Sequence, residues 1–273
     1  MDDKSSQIGL ISGEGEFPLI LAKSLKNKGY SVYAVCFSKE QEKNLKSLCD
    51  GVACVYIGQL GRLIEIFKEH KVKDLVLLGK VDKSHALRFG LPDLRALKLW
   101  RSLKTREDNS LLSALVKELE GSGFVVRSPA EFLSEYLVQE GVFTRRAPTP
   151  EEWEDIRYGL TIAKAIGELD IGQCVVVKNR MTVAVEAMEG TDETILRGGR
   201  LVEEAVVVKV AKPSQDPRLD LPVVGSRTVE TMVKAKAKVL ALLAGKTFFL
   251  QREKAIDLAN KHSIVICGVK DEA

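Results

Sequence analysis

Histidine is scarce in this chain: His70, His85 and His262 are the three in 273 residues. They are too scattered to set up a zinc site. Cysteine is thin as well. The five thiols, Cys36, Cys49, Cys54, Cys174 and Cys267, are odd in number and contain no C-x-x-C pair, which argues against a disulfide framework and for a reducing cytoplasm. Four of them, all but Cys49, stand in or beside apolar strand-like runs, where cysteine acts as a small buried hydrophobe. No apolar run approaches the roughly 20 residues that a bilayer-spanning helix needs. Met1 to Gln7 reads as a short polar tail rather than a leader. A dominant sign of charge is also missing, since 41 basic residues face 38 acidic ones, and so bulk attraction to nucleic acid is not expected. Repeats and low-complexity tracts are absent. What remains is an ordinary globular composition, long enough for one large or two ordinary domains.

The first half alternates strand and helix patterns. Apolar or β-branched runs at 8–12, 30–37, 52–57, 75–78 and 124–127 predict strands. Amphipathic stretches at 19–28, 62–70, 94–103 and 111–120 predict helices, the first stopped by Gly29. This order implies a mostly parallel sheet with covering helices, a Rossmann-like α/β domain over residues 1–135. Residues 136–150, with R-R-A-P-T-P, read as a stiff polar linker. Residues 151–273 then form a smaller α/β domain. Its predicted helices cover 151–169, 228–244 and 252–262, and its predicted strands 173–178, 182–187, 205–210, 247–251 and 263–269. Asn179-Arg180 is expected to turn a hairpin between the first two of these strands.

Chemistry concentrates in V-A-K-P-S-Q-D-P-R-L-D-L-P-V-V-G, Val210 to Gly225. Three prolines exclude a helix interior or a central strand, so Lys212, Gln215, Asp216, Arg218 and Asp220 share one stiff loop after a strand. A solvated charged turn is the plain alternative. A second acidic turn, Glu186 to Asp192, carries Glu186, Glu189 and Asp192 beside Gly190 and Thr191. If the two loops meet, these acids with Asp216 and Asp220 can hold Mg²⁺ or Mn²⁺ and supply a base, while Lys212, Arg218 and Arg227 face phosphate oxygens. Alternatively, Thr191 or Asp192 simply caps a helix. Gly13-Glu14-Gly15 follows a strand and opens a helix, the place of a phosphate-cradling turn. It lacks the third glycine of a dinucleotide fingerprint and any Walker lysine. Gly79-Lys80-Val81-Asp82-Lys83 is expected at the same sheet edge. Asp108 or Asn109 is explained well enough as a helix cap.

I-S-G-E-G-E-F-P, L-D-I-G-Q, A-V-E-A-M-E-G-T-D and K-P-S-Q-D-P-R-L-D-L-P-V-V-G occur in that order. Together they resemble the cytoplasmic UDP-2,3-diacylglucosamine pyrophosphatases of lipid A biosynthesis, the metal-dependent type unrelated to the calcineurin-like phosphoesterases. The resemblance spans Ile8 to Val269. It implies Mg²⁺-dependent hydrolysis of UDP-2,3-diacylglucosamine to UMP and 2,3-diacylglucosamine 1-phosphate, with a ligand cleft between two domains. It further implies a homodimer and transient contact with the inner-membrane surface, where the amphiphilic substrate resides. The family's essential acid falls on Asp220, with Lys212, Arg218 and Asp216 beside it. Metal ligands are expected among Asp220, Glu186, Glu189 and Asp192. Substrate contacts are expected at Gly13, Gly15, Gly79, Lys80, Gln173, Gln215, Thr191 and Arg227. The chain departs from the family's G-x-V-x-R-P at Lys83-Ser84. Three rivals stay open at this point: a pyrophosphatase of another UDP-sugar, a non-catalytic nucleotide-sugar binder and an NAD-dependent oxidoreductase.

Overall fold

The structure, a computed structural model, describes residues 6–81, 92–102, 108–212, 216–219 and 221–271. It is α/β throughout and divides into two compact units. One comprises Met1–Ser134 with Asp216–Asp220, the other Glu135–Gln215 with Leu221–Ala273.

The first unit is built on an all-parallel sheet in the order β3-β2-β1-β4-β5. Its strands are β1 (Gln7–Ser12), β2 (Ser31–Cys36), β3 (Gly51–Cys54), β4 (Asp74–Leu78) and β5 (Val125–Val126). The order reverses direction between β1 and β4, the point at which open α/β sheets leave a crevice beyond their carboxyl ends. The Phe17–Asn27 helix buries Phe17, Leu21, Ala22 and Leu25, the spacing of one helical face. It ends as its sequence predicts. Gly29 takes φ +84°, and the Gly29 and Tyr30 amides return to the carbonyls of Lys26 and Leu25, closing the last turn. A short helix at Lys39–Leu45 escapes the periodicity reading, because it has only seven residues and buries only Gln41 and Leu45. Ser38 caps it by accepting the Gln41 amide.

The second unit carries a mixed sheet in the order β6-β13-β11-β9-β7-β8. These strands are β6 (Gly141–Val142), β7 (Cys174–Lys178), β8 (Met181–Val185), β9 (Val206–Lys209), β11 (Val239–Leu243) and β13 (Val265–Val269). The Pro150–Glu168 helix covers one face through Ile156, Ala163 and Ile166. The helices Thr191–Leu201, Ser226–Lys234 and Arg252–Lys261 cover the other through Ile195, Val229, Met232, Ala255 and Ala259. A small parallel pair, β10 (Val223–Val224) with β12 (Phe248–Phe249), completes the unit. Asn179 and Arg180 both take positive φ, the hairpin geometry expected of them. The buried carboxylate of Asp155 accepts both of their amides.

Two expectations are corrected. The predicted helix over 228–244 is instead the Ser226–Lys234 helix followed by strand β11. Lys236 at φ +54° ends the helix, and V-L-A-L-L is buried at every position between two parallel neighbours, so it shows no alternation to read. The stretch 136–150, read as a linker, contributes β6 to the sheet edge beside β13. There the hydroxyl of Thr144 accepts the Ile266 amide.

Candidate functional site

In the first unit the turns after β1 and β4 are joined. The amides of Gly13 and Glu14 donate to the carbonyls of Leu78 (2.8 Å) and Lys80 (2.7 Å), and the Lys80 amide returns to Glu14 (3.2 Å). Both Gly13 and Gly79 are required by this contact. A Cβ on Gly13 would lie 2.5 Å from the Lys80 carbonyl oxygen, and one on Gly79, at φ +102°, would lie 2.8 Å from the Gly13 carbonyl carbon. The amides of Gly13 and Glu14 are therefore spent inside the fold. Gly15 and Lys80 are exposed at the same edge. Gln41 holds the turn from behind, donating to Ser12 Oγ (3.0 Å) and to the Gly15 carbonyl (3.2 Å). Asp82 and Lys83 lie outside the described residues.

The Asp216–Leu219 turn also belongs to the first unit. Asp216 accepts from the Arg218 side chain at 2.6 to 3.1 Å and from its amide at 3.0 Å. Arg218 reaches Glu120 as well, 2.7 Å away. Ser128 Oγ donates to the Pro217 carbonyl (2.8 Å), and Leu219 packs against the apolar core of this unit. The guanidinium beside Asp216 holds its carboxyl below the usual range. Asp220 and Gln215 lie outside the described residues.

In the second unit the remaining polar residues gather at one sheet edge. Glu186 is buried, accepting from Thr191 Oγ1 (3.0 Å) and the Gln173 amide (3.2 Å). Gly172 allows this packing, since any Cβ there would stand 2.1 Å from the Glu186 carbonyl oxygen. Glu189 accepts from Arg197 (2.7 Å), Thr194 (3.1 Å) and the Ala187 amide (3.2 Å). Its hydrogen bond from Arg197 is the main reason its carboxyl is lowered to about 2. Asp192 pairs with Arg227 at 3.0 Å, joining the first turns of two helices. Lys212 pairs with Asp170 at 2.7 Å. Among the described residues no three His, Cys, Asp or Glu side chains form a group that could hold a metal ion. The turn acids each have a hydrogen-bonding or ionic partner within the fold, so as placed they do not make a divalent-cation site on their own. Gln173 is different: its Oε1 is buried with no hydrogen-bond partner among the described residues.

Two residues at these edges escape a reading from sequence. Gln41 sits in the short helix that periodicity overlooks. Lys209 ends β9 and is only 6% exposed. Its signal was a lysine closing the run V-V-V-K inside an otherwise apolar strand. Two cavities of the second unit, lined by residues such as Arg146, Glu152, Lys178 and Lys238, lie at the opposite ends of these strands.

The architecture defines a two-unit α/β protein whose first unit is an open parallel sheet of the Rossmann-like kind. Residues 7–136 match the LpxI N-terminal domain and residues 139–267 the LpxI C-terminal domain. A protein of Caulobacter vibrioides named UDP-2,3-diacylglucosamine pyrophosphatase LpxI is 30% identical over 275 residues, covering 96% of this chain and 97% of its own. The chain belongs to the LpxI family. A solved structure of AnUbiX (PadA1) in complex with FMN and dimethylallyl pyrophosphate aligns with 44% of this chain and 93% of its own. At 12% identity and a TM-score of 0.20 it carries no argument. Among the described residues no helix is long and apolar enough to cross a membrane.

Proposed function

We propose that the chain hydrolyses the pyrophosphate of UDP-2,3-diacylglucosamine, releasing UMP and 2,3-diacylglucosamine 1-phosphate in lipid A biosynthesis. The observation that carries this reading is the end-to-end match to a relative named for that activity. In this reading Asp220 is the essential acid of the D-L-P loop, with Asp216 beside it. Lys212 and Arg218 counter charge developing on phosphoryl oxygens. Each brings a carboxylate partner, Asp170 or Asp216, which tempers its charge and fixes its position. Gln173, Gln215, Thr191 and Arg227 are assigned to the substrate, together with Gly13, Gly15, Gly79 and Lys80 of the first unit. The unpartnered Oε1 of Gln173 supports its place in that set.

Mg²⁺ or Mn²⁺ dependence also belongs to the proposal. Glu186, Glu189 and Asp192 are the turn acids concerned, and they would need Asp220 or a change of partners to hold a cation. Homodimer formation, which the family resemblance implies, and transient contact with the inner-membrane surface, which the amphiphilic character of the substrate supports, are part of the same reading.

The test is UMP release by purified protein. Asp220→Ala is expected to lower it at least 100-fold while the far-ultraviolet circular dichroism stays unchanged. Near-full activity in that variant overturns the role of Asp220. Full activity after exhaustive chelation overturns the metal.

A further inference from the structure

We propose that Lys209 is a phosphate-binding residue of the second unit, holding a pyrophosphate oxygen of the substrate. This deepens the pyrophosphatase reading and rests on it for the identity of the ligand.

Lys209 stands opposite Cys174 in the antiparallel β7–β9 ladder. Strand alternation puts it on the same face as Val207, the face covered by the Thr191–Leu201 and Ser226–Lys234 helices. Its ammonium donates to the Val223 carbonyl at 3.2 Å. Among the described residues no carboxylate lies within ion-pair distance of it. The other cations of these loops differ in this respect: Lys212 has Asp170, Arg218 has Asp216 and Glu120, and Arg227 has Asp192. Lysine is almost never buried without a paired charge. Taking an ammonium out of water costs several kcal/mol, and one neutral carbonyl uses only one of its three donors. Glu186, just past the end of β8 and two strands over, is already engaged by Thr191 and the Gln173 amide.

The surroundings favour an anion. The Val223 carbonyl that receives Lys209 lies just before the Ser226–Lys234 helix, and Glu186 on the other side leads into the Thr191–Leu201 helix. Both helices begin after glycine, Gly225 and Gly190, with no side-chain cap on their first amides. The positive dipole end of the Ser226–Lys234 helix, which has no acidic residue in its first turn, adds to the lysine's charge, whereas Asp192 and Glu193 offset that of the Thr191–Leu201 helix. Among the described residues Lys209 is thus a buried cation with no anion paired to it, at the end of the strand that leads into the D-P-R-L-D-L-P loop.

Inorganic pyrophosphate is the probe, and its effect on the melting temperature is read alongside UMP release. Wild type is expected to be stabilised by pyrophosphate. Lys209→Gln keeps a donor for the Val223 carbonyl without the charge, and should lose that stabilisation. UMP release in this variant should fall about 100-fold, with Lys209→Arg recovering part of it. Lys209→Met should melt at or above the wild-type temperature without ligand, because it removes a buried charge that no carboxylate among the described residues pairs. A merely structural lysine predicts the reverse. The proposal is overturned if pyrophosphate does not stabilise wild type, if it stabilises Lys209→Gln equally, or if Lys209→Gln keeps activity within threefold. A wild type that binds pyrophosphate through Lys209 but releases no UMP overturns the pyrophosphatase reading and leaves the anion site standing.

Discussion

The side-chain amide of Gln41 donates to the hydroxyl of Ser12, 3.0 Å away, tying a short peripheral helix to the end of the central strand. Ser12 in turn donates to the Gly13 carbonyl, and Gln41 also reaches the Gly15 carbonyl. Both side chains are buried. Replacing Gln41 by leucine removes the donor and leaves two acceptors without it, a loss of about 1–3 kcal/mol. Urea denaturation of Gln41→Leu reads this loss directly, and an unchanged midpoint would show that the clamp contributes nothing.

Gly79 is the steric counterpart of that clamp. Its positive φ and its contact with Gly13 oppose any side chain, so Gly79→Ala should lose about 1–3 kcal/mol. Gly123, also at positive φ but with open space around it, separates the two causes. Gly123→Ala meets the backbone penalty alone and should be the milder variant in the same thermal melts.

Acid should weaken the fold through identifiable pairs. Asp216, paired with Arg218, and Glu189, paired with Arg197, have carboxyls lowered from their ordinary values. A lowered folded-state pKa contributes stability that is fully present above the unfolded value of about 4. It is lost as pH falls through the folded value, about 2 for Glu189. Asp216→Asn and Glu189→Gln should therefore melt below wild type at pH 7 and converge with it near pH 2. A difference that persists unchanged at pH 2 assigns it to something other than charge.

The thiols should be quiet in the native state. Burial, then the neighbouring Cys54, pushes Cys36 up to about 12, and burial does most of the same for Cys49 and Cys267. Cys174 is pushed up as well, burial again leading, with Glu186 adding and Lys209 opposing. Thiolate is the reactive form. At pH 8 no more than one thiol per chain should react quickly with an aromatic disulfide reagent, and all five after unfolding. Two or more fast thiols in the folded protein contradict this.

Local rules carried a sequence reading far in this chain. The first helix, its Gly29 stop and the Asn179-Arg180 hairpin all follow from residue spacing and turn chemistry. Strand β11 does not, because a strand buried on both faces has no period of its own. Lys209 was hidden for a related reason: alternation could place it on the core face but could not say whether a partner waits there. The Asp216–Leu219 turn is a third case. Its position in the second half of the chain gives no hint that its structural home is the first unit, since Glu120 and Ser128 are about ninety residues or more away in sequence.

The bridge between the Gly13 and Gly79 turns has a consequence for how a ligand is met. Two turns hydrogen-bonded to each other extend the sheet past its last regular residues, so their amides should exchange with solvent as slowly as those of the strands they continue. A surface of this kind is shaped before anything binds. Whatever lands on Gly15 and Lys80 then spends little of its binding energy on ordering the backbone beneath it.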